Sequence, residues 1–437
     1  MSSQDKVKKA GKKWKEIVEE PPKVSASELM RDHDFVGTLT KRGGSIKTWH
    51  ERLCILHQGK LYYYVSQKDT KPKGMINVQG LTCQAAELNY KKKFGIKIIS
   101  PHRTYYLACE DENDQSNWIK EINDSSVRNS DYRLHVVDPD FSEDCTFHDI
   151  QRAVDFAKEG DHVVLRSGIY KVPETVVIKK PLTIRGVYPD SSLVHIASSD
   201  SSKSILRVDS FNENLTIQQL EKQRLLDGGG SVKFEHVTLT QNAARDSILF
   251  YESASCLEIV SGSCTLQHVH LRASYGVGVT VKNRLYIPPV KNTTDAAVST
   301  TPSTASIESN TQPPPPPLPS TGSKKPICDP PKLIMTECHV EFNKLHGMRL
   351  EDDTLCEVTK SLFQKNDGNA ILCKGEASMR IERSVFSGHT RNAIVLESTK
   401  TSTICGNKMQ LNGPGGKSHI HIAEDAAPCA LEENDFL

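Results

Sequence analysis

The sequence predicts a mainly β protein whose C-terminal part is a parallel β-helix, because a segment of the chain repeats itself. Ser361-Leu362-Phe363 recurs as Ser384-Val385-Phe386, and Asn369-Ala370-Ile371 recurs as Asn392-Ala393-Ile394, each about 23 residues on. The same offset links further apolar positions, namely Val340 with Phe363, Phe386 with Met409, and Met348 with Ile371. Short apolar runs separated by Gly, Asn and Asp are typical of strands. Such a coil cannot bury its apolar face alone, so successive coils must stack, about 4.8 Å apart.

The composition indicates a nearly neutral chain. It has 55 Lys and Arg against 54 Asp and Glu, so the bulk charge does not suggest nucleic acid as a partner. No apolar run approaches the roughly 18 residues of a membrane span, and no apolar segment follows the Lys-rich N-terminus, so we expect no signal peptide and a cytoplasmic protein. The 12 cysteines form no CxxC pair, which predicts buried thiols in place of disulfides or a zinc site.

We expect four segments: a basic N-terminal helix or tail at 1–32, a small β domain at 33–125, a linker at 126–145, and the β-helix at 146–437. A Pro-rich, disordered loop at 288–331 interrupts the last segment. The first segment is amphipathic and rich in lysine. It suits an anionic membrane surface, and the alternatives are a solvated helix and a disordered tail.

The small β domain combines short strands with one helix. The runs Trp49 to Leu56 and Lys60 to Val65 form a hairpin through Gln58-Gly59, and Glu112 to Ile122 is a helix that carries Trp118 inward. This succession resembles the pleckstrin-homology (PH) domain over about 90 residues. The resemblance implies a β-sandwich or barrel closed by a C-terminal helix.

Positive charge gathers at the first hairpin of this domain. Lys41, Arg42, Lys47 and Arg52 are expected to converge at its open end. Inositol phosphates accept charge-assisted hydrogen bonds from such groups. The run Lys91-Lys92-Lys93 would add nonspecific attraction to an anionic leaflet, about 1 kcal/mol per residue.

The hairpin is similar to those of PH domains that bind 3-phosphorylated phosphoinositides, such as the cytohesins. Their pattern has a Lys on the first strand, Lys/Arg-x-Arg on the second, a Tyr on the third, and a basic residue before a Gly. Lys41, Arg52, Tyr63 and Lys73 match these positions. His50 stands where strong binders have Lys or Arg, which implies weaker binding that improves at low pH. The alternatives are weak binding to acidic lipid and binding to protein only.

The start of the β-helix also has a signature. Phe147 to Val154 begins a helix that ends by Gly160, and strand-like runs follow directly. This order resembles the opening of pectin-lyase-like right-handed β-helices, in which the helix caps the first coil. At the level of coil pattern, 147–437 is also similar to the intracellular β-helices of the F-box and SHC-binding families. That similarity implies a recognition surface.

Many β-helices cleave polysaccharides, so a carbohydrate-active enzyme is the competing hypothesis. That chemistry needs two converging carboxylates, or calcium-binding acids with a basic group. The acidic candidates are Glu351-Asp352-Asp353 and Asp425, but Lys374 and Glu397 at equivalent positions of the next coils continue no acidic groove. Gly388-His389-Thr390 only partly matches the hydrolase Gly-His-Gly motif. We therefore expect no catalysis.

No cofactor and no metal are expected. His236, His268 and His270 are candidates for a metal cluster, but histidines on adjacent coils more often stack as a ladder and no carboxylate accompanies them at fixed spacing. The run Pro313-Pro314-Pro315-Pro316-Pro317-Leu318-Pro319 resembles ligands of SH3, WW, EVH1 and profilin-type proteins, and the alternative is a spacer. The sequence thus predicts a membrane-recruited adaptor with phosphoinositide and protein partners.

Overall fold

The computed structural model describes residues 20–44, 47–88, 94–140, 145–198, 200, 202–210, 231–241, 254–273, 276–283, 329–416 and 419–437. The predicted N-terminal helix, the run Lys91-Lys92-Lys93, and nearly all of the Pro-rich loop with Pro313 to Pro319 lie outside these residues. Within them, no helix is long and apolar enough to cross a bilayer.

The first domain is a seven-stranded antiparallel sheet closed by a helix, as the sequence predicts. In chain order the elements are α1 (Ala26–Leu29), β1 (Phe35–Arg42), β2 (Trp49–His57), β3 (Lys60–Tyr64), β4 (Gly74–Asn77), β5 (Thr82–Ala86), β6 (Phe94–Ile99), β7 (Thr104–Cys109) and α2 (Glu112–Arg128). The strands lie in the order β4-β3-β2-β1-β7-β6-β5 in the sheet.

Local signals explain both the hairpin and the helix of this domain. Gln58 and Gly59 take φ values of 47° and 73°, the two-residue turn that matches the twist of paired strands. Asp111 caps α2, since its carboxylate accepts from the Asp114 N–H at 2.7 Å. Trp118 is fully buried and packs edge-on against Phe35 at a ring distance of 4.7 Å. The prediction that the helix carries Trp118 inward is confirmed.

The remaining described residues form a solenoid of three parallel sheets and a cap helix, α3 (Ile150–Phe156). Sheet 1 contains β8 (Leu134–Val137), β9 (His162–Leu165), β12 (Thr183–Gly186), β15 (Ser231–Glu235), β18 (Ser263–Gln267), β21 (Lys332–Thr336), β24 (Leu355–Thr359), β27 (Ser378–Glu382), β30 (Ser402–Cys405) and β33 (Cys429–Glu432). Sheet 2 contains β10 (Gly168–Lys171), β13 (Val194–Ser198), β16 (Thr238–Gln241), β19 (His270–Ala273), β22 (His339–Glu341), β25 (Leu362–Gln364), β28 (Val385–Ser387), β31 (Lys408–Gln410) and β34 (Asp435–Phe436). Sheet 3 contains β11 (Val176–Ile178), β14 (Leu206–Asp209), β17 (Ser255–Ser261), β20 (Val277–Lys282), β23 (Met348–Glu351), β26 (Ile371–Lys374), β29 (Ile394–Glu397) and β32 (Ile420–Ile422).

The predicted repeat is the register of the solenoid. Val340 pairs with Phe363, Phe363 with Phe386, and Phe386 with Met409. All four are fully buried, and the two phenylalanine rings stack at 5.0 Å. The 23-residue period therefore places apolar side chains one above another in the core.

Polar side chains form ladders inside the same coils. The Asn343 N–H donates to the Asn366 side-chain oxygen at 3.0 Å, and the Asn366 N–H donates to His389 Nδ1 at 3.2 Å, each across 23 residues. The His389 N–H in turn donates to the Asn412 side chain at 3.3 Å. These ladders satisfy backbone groups at the corners, where no strand partner is available.

A corner after sheet 1 recurs on successive coils from β15 onward. The residue following the strand takes a left-handed conformation, with φ of 54° at Glu337, 48° at Lys360 and 50° at Arg383. The N–H of each donates to a carbonyl of the next coil, at 3.1–3.2 Å. Non-glycine residues rarely adopt this conformation, so here the inter-coil hydrogen bonds determine the backbone.

The PH-like domain and the solenoid share an apolar core. Residues 126–145, which we expected to be a linker, contain the end of α2 and the strand β8, which pairs in parallel with β9. The Leu134 N–H donates to the Gly80 carbonyl of the first domain at 2.7 Å. Leu134, Val164 and Val187 belong to the buried cluster that contains Trp118. The first coil is thus covered by both α3 and the N-terminal domain.

Candidate functional site

Strand register brings three of the predicted residues to one face of the first hairpin. Lys41 lies opposite His50, and Leu39 lies opposite Arg52. Leu39 is fully buried, and side chains two apart on a strand share a face. Lys41, His50 and Arg52 therefore project to the inner side of the sheet, at the open end of the domain.

Two tyrosines complete the wall of this site. Tyr63 pairs with Cys54, which puts its ring on the same face, and the Lys41 ammonium lies 4.7 Å from the ring centre. The Tyr105 ring, on β7, lies 5.8 Å from the same ammonium. Aromatic faces attract cations at such distances, so Lys41 is held between β3 and β7.

Arg103 is a further basic residue of the site that the sequence interpretation missed. Its guanidinium stacks on the Tyr105 ring at 4.3 Å, and its Nη2 donates to the Tyr105 hydroxyl at 2.9 Å. A Cβ added to Gly44, in the β1–β2 loop, would lie 3.0 Å from its Nη1. The turn between β6 and β7 thus places Arg103 next to the open end of the first hairpin. The sequence signal that could have indicated it is its position two residues before Tyr105, whose ring faces inward.

The electrostatics of this cluster favour an anion. Burial lowers the pKa of Lys41, and the positive charges of Arg103 and Arg52 lower it further. Burial also raises the pKa of the Cys54 thiol to about 12, so it contributes no negative charge near neutral pH. A bound anion would relieve the repulsion between the cations. The arrangement therefore suits phosphate groups.

The other predicted residues lie around this centre. Arg42 is on the opposite face, because it is the next residue along the strand, and its guanidinium carbon lies 5.5 Å from the Tyr106 ring centre. Lys47 and Lys73 are exposed, and the Lys73 N–H donates to the Tyr63 carbonyl at 2.9 Å. The exposed His50 has its Nε2 2.9 Å from the Thr48 hydroxyl oxygen. The structure therefore brings together Lys41, His50, Arg52 and Tyr63, with Lys73 beside them, and separates Arg42 from them.

Three of the four acidic candidates of the β-helix, namely Glu351, Asp353 and Asp425, contact cations or hydroxyls. Asp353 lies 2.8 Å from the Lys400 ammonium, and Glu351 lies 3.0 Å from Arg349 Nε. Asp425 accepts hydrogen bonds from Ser398. Lys374 and Glu397 are register neighbours, 3.4 Å apart. These contacts run between or along coils, as expected for a charged solenoid surface.

The histidines singled out in the sequence form stacks. The His236 and His268 rings are 4.9 Å apart and nearly parallel, and His270 stacks on His339 at 4.3 Å. His268 Nδ1 also lies 3.3 Å from a Glu337 carboxylate oxygen. Among the described residues, no group of three or more His, Cys, Asp or Glu is placed to hold a metal ion.

The fold and the basic hairpin define a PH module joined to a β-helix, and comparisons with known families agree. The family model described as PH domain matches residues 34–127, and the one described as right handed beta helix region matches residues 329–436. Pleckstrin homology domain-containing protein 1 of Arabidopsis thaliana is 34% identical over 109 residues, which cover 24% of this chain and 75% of that protein. The chain belongs to the PH domain-containing proteins.

Two further relatives match this chain over about 100 residues each. A PH domain-containing protein of Dictyostelium discoideum is 34% identical over 102 residues, covering 23% of this chain and 22% of that protein. Human Rho GTPase-activating protein 24 is 32% identical over 97 residues, covering 20% of this chain and 13% of that protein. The chain therefore spans less than a quarter of these two relatives.

Among solved structures, the C-terminal PH domain of pleckstrin in complex with D-myo-Ins(1,2,3,4,5)P5 is 28% identical, with a TM-score of 0.19, and the match covers 21% of this chain and 97% of that one. The finer resemblances, to 3-phosphoinositide-binding PH domains and to the F-box and SHC-binding β-helices, stay predictions.

Proposed function

We propose that the protein is a non-enzymatic adaptor that binds phosphoinositide headgroups through its PH domain and presents its β-helix to protein partners. The observation that carries the proposal is the convergence of Lys41, Arg52 and Arg103 on one inward face, beside two tyrosines. Clustered cations in a partly buried site need an anion with several charges. Phosphorylated inositol rings supply that chemistry.

Membrane recruitment follows from this binding. The PH relatives include a Rho GTPase-activating protein and a probable serine/threonine-protein kinase. Several weak contacts with one membrane raise the effective concentration of each. The proposal therefore places the protein as a peripheral membrane protein on the cytoplasmic leaflet.

The β-helix serves in this proposal as a recognition surface. Charged pairs such as Asp353 and Lys400 give it a polar surface. The proline run Pro313 to Pro319 remains a predicted second docking site for SH3, WW, EVH1 or profilin-type proteins. The protein acts without a cofactor.

The test is vesicle binding by the full chain, because the PH core includes Leu134, Val164 and Val187 from the β-helix side. Phosphatidylcholine vesicles containing a few per cent of one phosphoinositide are compared across headgroups. Arg52→Ala should abolish binding. Arg42→Ala is the matched control, since it removes the same charge from the opposite face of the hairpin.

The outcomes separate the alternatives. Preference for one headgroup that Arg52→Ala removes and Arg42→Ala retains supports the proposal. Equal loss in both variants indicates nonspecific attraction to acidic lipid. Absence of binding to every phosphoinositide overturns the lipid function and leaves a protein-only scaffold.

A further inference from the structure

Arg166, which follows β9 of the β-helix, reaches into the PH domain and binds the turn between β6 and β7. Its Nε donates to the Pro101 carbonyl at 3.2 Å, and its Nη2 donates to the Ser100 carbonyl at 3.1 Å. Its Nη1 pairs with the Asp138 carboxylate at 3.2 Å, and both side chains are about 15% exposed. One guanidinium thus ties two backbone carbonyls of the PH domain to the first coil.

The turn that Arg166 binds is the one that carries Arg103 to the headgroup site. The Ser100 N–H and hydroxyl both donate to the Arg103 carbonyl, at 3.0 and 2.7 Å. The Arg103 N–H donates back to the Ser100 hydroxyl oxygen at 3.2 Å. His102, the residue before Arg103, has its ring centre 5.4 Å from that of Tyr188 of the β-helix. The turn is therefore fixed at its base by the solenoid and closed on itself.

We propose that Arg166 is a positioning residue for the phosphoinositide site: the β-helix sets the place of Arg103 at the mouth of the PH domain, so headgroup affinity is a property of both domains. This inference rests on the proposed function and names a residue of the β-helix that positions Arg103 in the same site. Affinity depends on preorganisation, because each side chain that must be ordered on binding opposes association. A planar fork such as Arg suits two carbonyls and a carboxylate at once.

A merely structural clamp would stabilise the fold without acting through Arg103, and a double-mutant cycle distinguishes the two roles. If Arg166 acts by placing Arg103, its removal must weaken binding only while Arg103 is present. If it only stabilises the fold, its removal leaves the affinity unchanged. If it affects binding by a route independent of Arg103, the two losses of binding free energy add. The cycle therefore compares Arg166→Met in the wild-type chain and in an Arg103→Met chain.

The experiment is calorimetric titration of the full chain with soluble inositol 1,3,4,5-tetrakisphosphate. We expect Arg103→Met to weaken binding about tenfold and Arg166→Met about fivefold, with the double variant no weaker than Arg103→Met. Arg380→Met is the control for lost charge, because Arg380 is an exposed arginine of the β-helix that pairs with Glu382. It should leave the affinity unchanged.

Hydrogen exchange of the backbone amides of Ser100 and of residues 102–104 gives a second readout, and Arg166→Met should speed this exchange. Unchanged affinity in Arg166→Met, or full additivity with Arg103→Met, overturns the inference while leaving the lipid function intact. A wild-type chain that binds no headgroup overturns both. Should Arg166→Met not fold, Arg166→Lys takes its place. It retains a cation that reaches one carbonyl, and an intermediate loss of affinity supports the inference, whereas no loss overturns it.

Discussion

The ammonium of Lys41 lies 4.7 Å from the ring centre of Tyr63, and this contact joins the first and third strands at the mouth of the PH domain. The positive charges of Arg103 and Arg52 both lower the pKa of Lys41. Its protonation state and the geometry of Tyr63 therefore determine how well the site receives an anion.

As pH rises, headgroup affinity should begin to fall at a lower pH than it would for a lysine with its usual pKa. Burial and two neighbouring cations lower the pKa of Lys41, so its charge is lost at a lower pH than usual, and binding weakens as the charge is lost. Lys41→Arg should retain affinity to higher pH, because arginine does not deprotonate in proteins. Titration of the soluble headgroup between neutral and alkaline pH measures this. Parallel curves for the two proteins would contradict it.

His50→Arg should strengthen headgroup binding. His50 is exposed and faces the same side as Lys41, and the predicted resemblance to phosphoinositide-binding PH domains implies a Lys or Arg at this position. A permanent cation there should raise affinity about three- to tenfold through one more charge-assisted bond. The salt dependence of binding should also become steeper. An unchanged affinity at low salt would show that this position does not face the headgroup.

Gly74→Ala should damage the site through Tyr63. A Cβ at Gly74 would lie 2.0 Å from the Tyr63 hydroxyl oxygen and 2.4 Å from Cζ, so the ring must move. We expect a loss of about 1–3 kcal/mol in the free energy of unfolding, together with weakened headgroup binding. In a Tyr63→Ala background the same substitution should cost far less stability. Chemical denaturation of the four proteins provides the measurement, and equal losses in both backgrounds would refute the mechanism.

His389→Asn should make the β-helix less sensitive to acid. Burial lowers the pKa of His389 to about 4, and its Nδ1 accepts from the Asn366 N–H. Because the unfolded chain takes up the proton first, stability is lost as pH falls from about 6.5 towards 4, by about 2 kcal/mol at pH 5.

Asparagine is the residue that occupies neighbouring rungs of this ladder, so stability at pH 8 should change by less than about 1 kcal/mol. Denaturation at pH 8 and pH 5 checks both statements. His270 and His346, whose pKa values burial also lowers to about 4, account for acid sensitivity that remains. A pH dependence identical to that of the wild type would remove His389 as a cause.

Val164→Ala should loosen the PH domain although Val164 belongs to the β-helix strand β9. Val164 is fully buried in the cluster of Trp118, so its truncation should cost about 1–3 kcal/mol. Hydrogen exchange of PH-domain amides should become faster. Val358→Ala, a fully buried valine of β24, should destabilise the solenoid without this effect. Equal effects on the PH amides would argue against the shared core.

The repeat was predictable because residues that align between the coils of a solenoid recur at a fixed spacing in the sequence. Phe363 and Phe386 stack since each coil adds one layer to the same column, and the Asn366 ladder recurs for the same reason. The left-handed corners were not predictable. Glu337, Lys360 and Arg383 have no local preference for positive φ, and their conformation depends on hydrogen bonds to a coil about 23 residues away.

The candidate site divides in the same way. Lys41, Arg52 and Tyr63 stand at strand positions whose alternation fixes their common face, and the same alternation separates Arg42 from them. Arg103 escaped prediction because its turn comes to the first hairpin only when β7 pairs with β1.

The sequence by itself determined the two domain types and the strand positions of the basic hairpin, since these depend on periodicity and short-range turns. Only the tertiary structure decided that Arg166 of the β-helix binds the turn carrying Arg103, and that Leu134, Val164 and Val187 complete the PH core. These contacts join residues that are distant in the chain. Their formation depends on the way two folded surfaces meet, which local sequence pattern does not encode.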